Sequence, residues 1–203
     1  MRLFFAVAIP VELIARIEAT QRELKKLMPD PTIRWSRPDQ FHYTVKFLGE
    51  VSMPKAQRAI EAAEQVCYEM RPFRLTLGGV GVFPSAQRPS VLWIGATEGS
   101  AQFEALARKL DEVLARQHFR KESRAPTAHL TIARIKTYDA EASVAAGLKR
   151  AAVGEIGTMT VDSIVLMRSI LKPTGSEYTI VDRYRFRTPI DEVGEEEAQA
   201  GSQ

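Results

Sequence analysis

His42 and His129 stand in one repeated frame: Phe41, His42, Tyr43, Thr44, Val45 returns in outline as Ala128, His129, Leu130, Thr131, Ile132. Each copy carries a hydroxyl two residues after an imidazole, inside a short run that alternates with apolar side chains. In an extended chain this period of two turns His and Thr to one face and the apolar pair to the other. An imidazole titrates at about pH 6.5, so a pair can hold one acid and one base near neutrality, while two hydroxyls can donate to anionic oxygens. Converging on one small volume, the four groups suit acid-base chemistry on a phosphate, with no metal and no cofactor required.

The elements that must position them form a series that runs twice. Leu3 to Ile9 predicts a strand, and Pro10 opens a helix whose Leu13, Ile14, Ile17, Leu24, Leu27 and Met28 recur at helical spacing. A loop with Pro29, Pro31 and Pro38 leads to the first His-x-Thr strand, from about Phe41 to Leu48. A turn at Gly49, a helix from Pro54 to Met70 and a strand from Phe73 to Val82 complete the unit. The second pass has a strand at Val91 to Ile94, a helix carrying Phe103, Leu106, Leu110 and Leu114, and the strand Ala128 to Ile135. A helix near Ala140 to Ala151 and a strand near Thr160 to Met167 follow, and after the turn at Pro173, Thr174 and Gly175 a last strand spans Tyr178 to Phe186. The histidines are 87 positions apart (129 − 42), which fits a duplicated unit near 1–85 and 90–170. Two such copies are expected to pack about a pseudo-twofold axis that brings both histidines to one groove.

Composition narrows the setting. With 203 residues, 45% of them hydrophobic, the chain can bury a sizeable core. The lone cysteine, Cys67, has no partner within the chain and falls in a helical run, where a buried thiol is expected. The opening apolar run is broken at Pro10, too soon for a signal peptide, and no run is long enough to span a bilayer, so a cytoplasmic protein without a membrane partner is expected. Asp191 to Gln203 holds five carboxylates and no Lys or Arg. Taking those five from the formal +3 leaves +8 on residues 1–190, a balance that favours an anionic partner. The segment 191–203 reads as a disordered acidic tail on a single domain spanning 1–190.

These residues resemble the two-histidine phosphoesterases, and within them the bacterial and archaeal RNA 2′,3′-cyclic phosphodiesterases, also called LigT-like 2′-5′ RNA ligases. The likeness takes in Arg2 to Ile9, the run Lys46, Phe47, Leu48, Gly49, Glu50, the loop Gly79 to Pro84, Val91 to Gly95, His129 to Arg134 and Val165 to Ser169. It departs at Ala128, where the family usually has proline; here Pro126 lies two residues earlier. The resemblance implies an α+β, bilobal fold with two pseudo-twofold related antiparallel sheets, outer helices and a central groove carrying both His-x-Thr strands. It implies hydrolysis of RNA 2′,3′-cyclic phosphate ends to 2′-phosphates, with His42 as proton donor and His129 as proton acceptor. Thr44, Thr131 and Arg134 are implied to bind the phosphate, in a monomer. Ligation through a 2′-5′ bond is the same chemistry reversed, and small cyclic nucleotides or 2′-5′ oligonucleotides are alternative substrates.

Strand parity sets some of these residues against each other. Five positions after His129, Arg134 falls on the opposite face of an ideal strand, so a phosphate role needs a bulge, a strand end or a long reach. Lys46, four after His42, has the right parity, and a site lysine and a solvated lysine stand about even. Tyr43, Val45, Leu130 and Ile132 should face the core. Trp35, Phe5 and Phe83 could stack on a base, with core packing the plainer reading of each. His118, near a helix end without a following Thr, reads as a surface or capping residue. A metal hydrolase is disfavoured by the ligand spacing, and a non-catalytic RNA-binding module is the other competing class.

Overall fold

The computed structural model describes residues 1–173 and 175–188, so Thr174 and the acidic segment from Asp191 lie outside the described residues. The chain runs β1 (Arg2–Ala8), α1 (Val11–Leu27), β2 (Arg34–Trp35), a 3-10 turn (Pro38–Gln40), β3 (His42–Glu50), α2 (Met53–Glu69) and β4 (Phe73–Ser85). It continues with β5 (Arg88–Glu98), α3 (Ser100–Arg116), β6 (Leu130–Arg134), α4 (Tyr138–Leu148), β7 (Glu155–Val161), β8 (Ser163–Lys172) and β9 (Gly175–Arg185). Local chemistry marks the helix starts: Pro54 sits in the first turn of α2, where a missing N–H goes unnoticed, and the Thr137 hydroxyl caps α4 by accepting from the Ala140 N–H. Among the described residues no helix is long and apolar enough to cross a membrane.

The fold is α+β. Nine strands make an antiparallel sheet in the order β7-β4-β5-β6-β3-β1-β8-β9, with β2 alongside β6. The two expected halves, β3-β1-β8-β9 and β6-β5-β4-β7, are continuous through one residue pair, Tyr43 with Leu130. Each half borrows from both copies of the repeat: β4 pairs with β5 and β7, while β8 pairs with β1. The helices cross over likewise, α1 packing on β7 and α4, and α3 on β3 and α2. The repeats and the halves of the sheet are therefore not the same units.

Where one strand is expected near Thr160 to Met167, the structure has two, β7 and β8, separated by Asp162 alone. They lie in opposite halves, and a single intervening residue spans only two Cα steps of about 3.8 Å each. The sheet must therefore curl until one rim meets the other half. Gly49, expected as a turn, lies within β3 at φ 71, where the register with β1 slips between Leu3 and Phe4. Its glycine supplies a left-handed bulge rather than a turn.

The four helices among the described residues bury their apolar stripes in one cluster with one face of the sheet, including Leu3, Phe5, Val7, Tyr43, Val45, Leu92, Ile94, Leu130 and Ile132. Cys67 is part of it, and burial pushes its thiol up to about 12, which leaves it inert. The opposite face carries a second, small cluster of Phe4, Ala6, Val165 and Met167, flanked by Ala8 and Tyr178. His42 and Thr44 stand beside it, because Ala8 pairs with His42 and Ala6 with Thr44.

Candidate active site

Both His-x-Thr strands contain a bulge at the same place. In β3, Thr44 pairs with Ala6 and Lys46 with Phe5, leaving Val45 without a partner of its own on β1. In β6, Thr131 pairs with Trp93 and Ala133 with Leu92, leaving Ile132 similarly placed against β5. Val45 and Ile132 are 87 positions apart (132 − 45), the spacing of the histidines. Each bulge suspends the alternation once, so Val45 and Lys46 are both buried, as are Ile132 and Ala133. The next residue, Phe47 in β3 and Arg134 in β6, is returned to the histidine face.

The bulge reverses the parity objection to Arg134. Directly opposed residues share a face, and one row of the sheet reads Phe83, Val91, Arg134, Arg34. A neighbouring row reads Gly81, Trp93, Thr131. Continuing the Tyr43–Leu130 register one residue each way sets His42 opposite Thr131 and Thr44 opposite His129 across the seam. Arg134 acts electrostatically on both imidazoles, and His129 on His42, so the three side chains lie within electrostatic reach of one another.

The two imidazoles are held alike. His42 Nδ1 lies 2.8 Å from the Gln40 carbonyl, and His129 Nδ1 lies 2.8 Å from the Thr127 carbonyl. A carbonyl only accepts, so Nδ1 carries the proton in both rings and each neutral Nε2 is left with a lone pair for chemistry. His42 Nε2 stands 3.1 Å from Thr44 Oγ1. Aromatic rings wall both: Phe4 and Tyr178 lie 4.9 and 5.2 Å from His42, while Phe83 and Trp93 lie 5.0 and 6.4 Å from His129. Burial is the main reason that the His42 pKa falls to about 4, with the charges of His129 and Arg134 adding to it against the Gln40 carbonyl. Burial, then Arg134, lowers His129 as well, against the Thr127 carbonyl.

A glycine makes room for one wall. A Cβ built on Gly81 would come within 2.2 Å of the Trp93 ring, so the indole lies flat over β4 only because that position has no side chain.

Other sequence expectations resolve plainly. Lys46 is neither a site lysine nor a solvated one. The bulge turns it into the core, where it is 3% exposed and its Nζ donates to Asp111 at 2.6 Å, the Arg120 carbonyl at 2.8 Å and Glu122 at 3.0 Å. Phe5 is wholly buried among the core residues and offers no ring to a base. Trp35 is half-buried with Lys25 over its ring, whereas Phe83 edges His129 and borders the site. His118 is an exposed residue at φ 62 beyond α3, its N–H donating to the Ala115 carbonyl. Tyr43, Val45, Leu130 and Ile132 face the core. Tyr178, Phe4 and Trp93 were not expected at the site. Only the 87-residue offset, which places the β5 residues in register with β1, hinted at Trp93.

Among the described residues, no three His, Cys, Asp or Glu side chains gather where they could hold a metal ion. The sequence profile described as LigT like Phosphoesterase matches the chain twice, over residues 7–93 and 94–178. These matches are themselves offset by 87 positions (94 − 7). A protein named RNA 2′,3′-cyclic phosphodiesterase from Aquifex aeolicus (strain VF5) is 34% identical over 152 residues, covering 74% of this chain and 80% of its own. Another of that name, from Methanothermobacter thermautotrophicus, is 31% identical over 186 residues, covering 92% and 99%. The crystal structure of TT0787 of Thermus thermophilus superposes with a TM-score of 0.74 at 27% identity, covering 93% of this chain and 100% of its own.

Proposed function

The chain belongs to the LigT-like phosphoesterase family, and from that premise we propose that it hydrolyses RNA 2′,3′-cyclic phosphate ends to 2′-phosphates without a metal. The supporting observation is the matched pair of imidazoles, each fixed through Nδ1 to a backbone carbonyl and each within electrostatic reach of Arg134. Water attacks phosphorus in line with O3′. His129 Nε2 takes the water proton as the new P–O bond forms, and His42 Nε2–H gives its proton to O3′ as the old bond breaks. Thr44, Thr131 and Arg134 hold the non-bridging oxygens, where negative charge builds in the transition state. The interlocked sheet is one catalytic unit.

The roles require one charged and one neutral imidazole, whereas partial burial favours the neutral form of both in the free protein. A bound phosphate anion supplies the opposite charge, offsets Arg134 and lets His42 take up its proton. The pH profiles follow from these signs. Both free-protein pKa values lie below the ordinary 6.5, so the kcat/KM bell should be centred on the acid side of it. The kcat bell, which reports the complex, should lie at higher pH. A kcat/KM maximum above pH 7 contradicts the burial of the imidazoles.

The direct test incubates the protein with an RNA ending in a 2′,3′-cyclic phosphate, in the presence of a chelator, and identifies the terminus by mass spectrometry and phosphorus NMR. A 2′-phosphate is expected. An unchanged end refutes the activity, dependence on added metal refutes the two-histidine mechanism, and a 3′-phosphate refutes O3′ as the leaving group.

A further inference from the structure

Arg34 lies on the two-residue strand β2, directly opposite Arg134 on β6. Like charges in opposed positions of a sheet work against folding, so their placement calls for an anion. Among the described residues neither guanidinium has an ion pair or hydrogen bond, and both are exposed. Arg37, three residues on, differs: Asp39 occupies it in a fork at 3.0 Å on each arm. Arg34 is thus a free cation on the site face while its neighbour is spent.

The placement is built rather than incidental. Gln21 is 5% exposed, and its Nε2 donates to the Ser36 carbonyl at 2.9 Å and to the Ile132 carbonyl at 3.0 Å. The Ser36 N–H donates to the same Ile132 carbonyl at 2.9 Å. A buried amide that uses both its N–H groups in this way clamps β2 onto the bulge that turns Arg134 to the site. One clamp therefore sets both arginines.

β2 follows β3 along the same edge of β6, so the seam between the halves runs from the His42 and Thr131 level towards Arg34. Three strand residues cover roughly 10 Å, so the row shared by Arg134 and Arg34 stands about that far along the seam from the His42 and Thr131 level, with Arg34 on the β2 side of it. We propose that Arg34 binds the phosphodiester one nucleotide upstream of the cyclic end. The subsite makes the protein prefer an RNA chain over a mononucleoside cyclic phosphate, and it rests on the reaction proposed above.

The test compares kcat/KM on an oligoribonucleotide ending in a 2′,3′-cyclic phosphate with kcat/KM on a mononucleoside 2′,3′-cyclic phosphate, for the full chain and for Arg34→Gln and Arg34→Lys. Arg34→Gln should lower the oligonucleotide-to-mononucleotide ratio about tenfold, the loss of one charge-assisted contact, and Arg34→Lys should restore part of it. The slope of log kcat/KM against log salt on the oligonucleotide should flatten by about 0.7, the mark of one single-strand phosphate contact. A thermal melt of Arg34→Gln at or above the parent's establishes that the fold is intact. An unchanged ratio, or an equal loss on both substrates, overturns the subsite. A parent protein that opens neither substrate overturns the reaction itself.

Discussion

Replacing His42 by Ala should lower kcat for opening a 2′,3′-cyclic phosphate by about 10²- to 10⁴-fold, the usual worth of a positioned proton-transfer group. Among the described residues the ring's polar contacts are the Gln40 carbonyl, which orients it, and Thr44. Removing it takes away the proton for O3′ but leaves Thr131 and Arg134 to bind phosphate. KM should therefore change far less than kcat. His129→Ala should act with similar size through the loss of the base. Because the two transfers serve one displacement, the double variant should be little slower than either single one. Steady-state and single-turnover rates on the same RNA check this. A loss confined to KM would return the protein to the class of RNA-binding modules.

Lys46→Ala should cost about 3 to 5 kcal/mol of folding stability, since it leaves Asp111 as a buried charge without its partner. The Lys46 side chain is 2% exposed and that of Asp111 11%, so water can replace little of what is lost. Glu122, 56% exposed, adds a weaker interaction. Asp111 also accepts the Glu122 N–H with both oxygens at 3.2 Å, so the cluster ties down the segment leading to Thr127, whose carbonyl orients His129. Urea unfolding measures the loss. Lys46→Met combined with Asp111→Leu should recover most of it, because a buried pair can be replaced by apolar side chains that fill the space. A loss below about 1 kcal/mol for Lys46→Ala shows instead that solvent reaches the pair.

The histidines and threonines were legible in the sequence because a strand's period of two is a local rule, and it applies to Thr44 and Thr131 within two residues of each ring. The faces that Arg134 and Lys46 take were not, for one shared reason. A bulge is set by how a strand meets its neighbour, here β1 against β3 and β5 against β6, and nothing in the run from His42 to Lys46 announces it. One skipped alternation brought the arginine to the site and took the lysine from it. The repeat was visible as an 87-residue offset, but the exchange of β4 and β8 between the halves was not, since pairing across the chain leaves no local pattern. Tyr178 reaches His42 through that same long-range pairing, by way of β8 and β9.

The exchange of strands also bears on how the chain reaches its native state. Phe4 of β1 pairs with Met167 of β8, so half of the sheet waits for nearly the whole polypeptide. Closing such a loop must be met in entropy before the pairing returns any of it, which puts folding among the slower, high-contact-order classes. A chain cut between the repeats would leave each piece with unpaired strand edges, prone to find their missing strand in another molecule. The duplication that supplies two histidines thus makes assembly a single cooperative event rather than two independent ones.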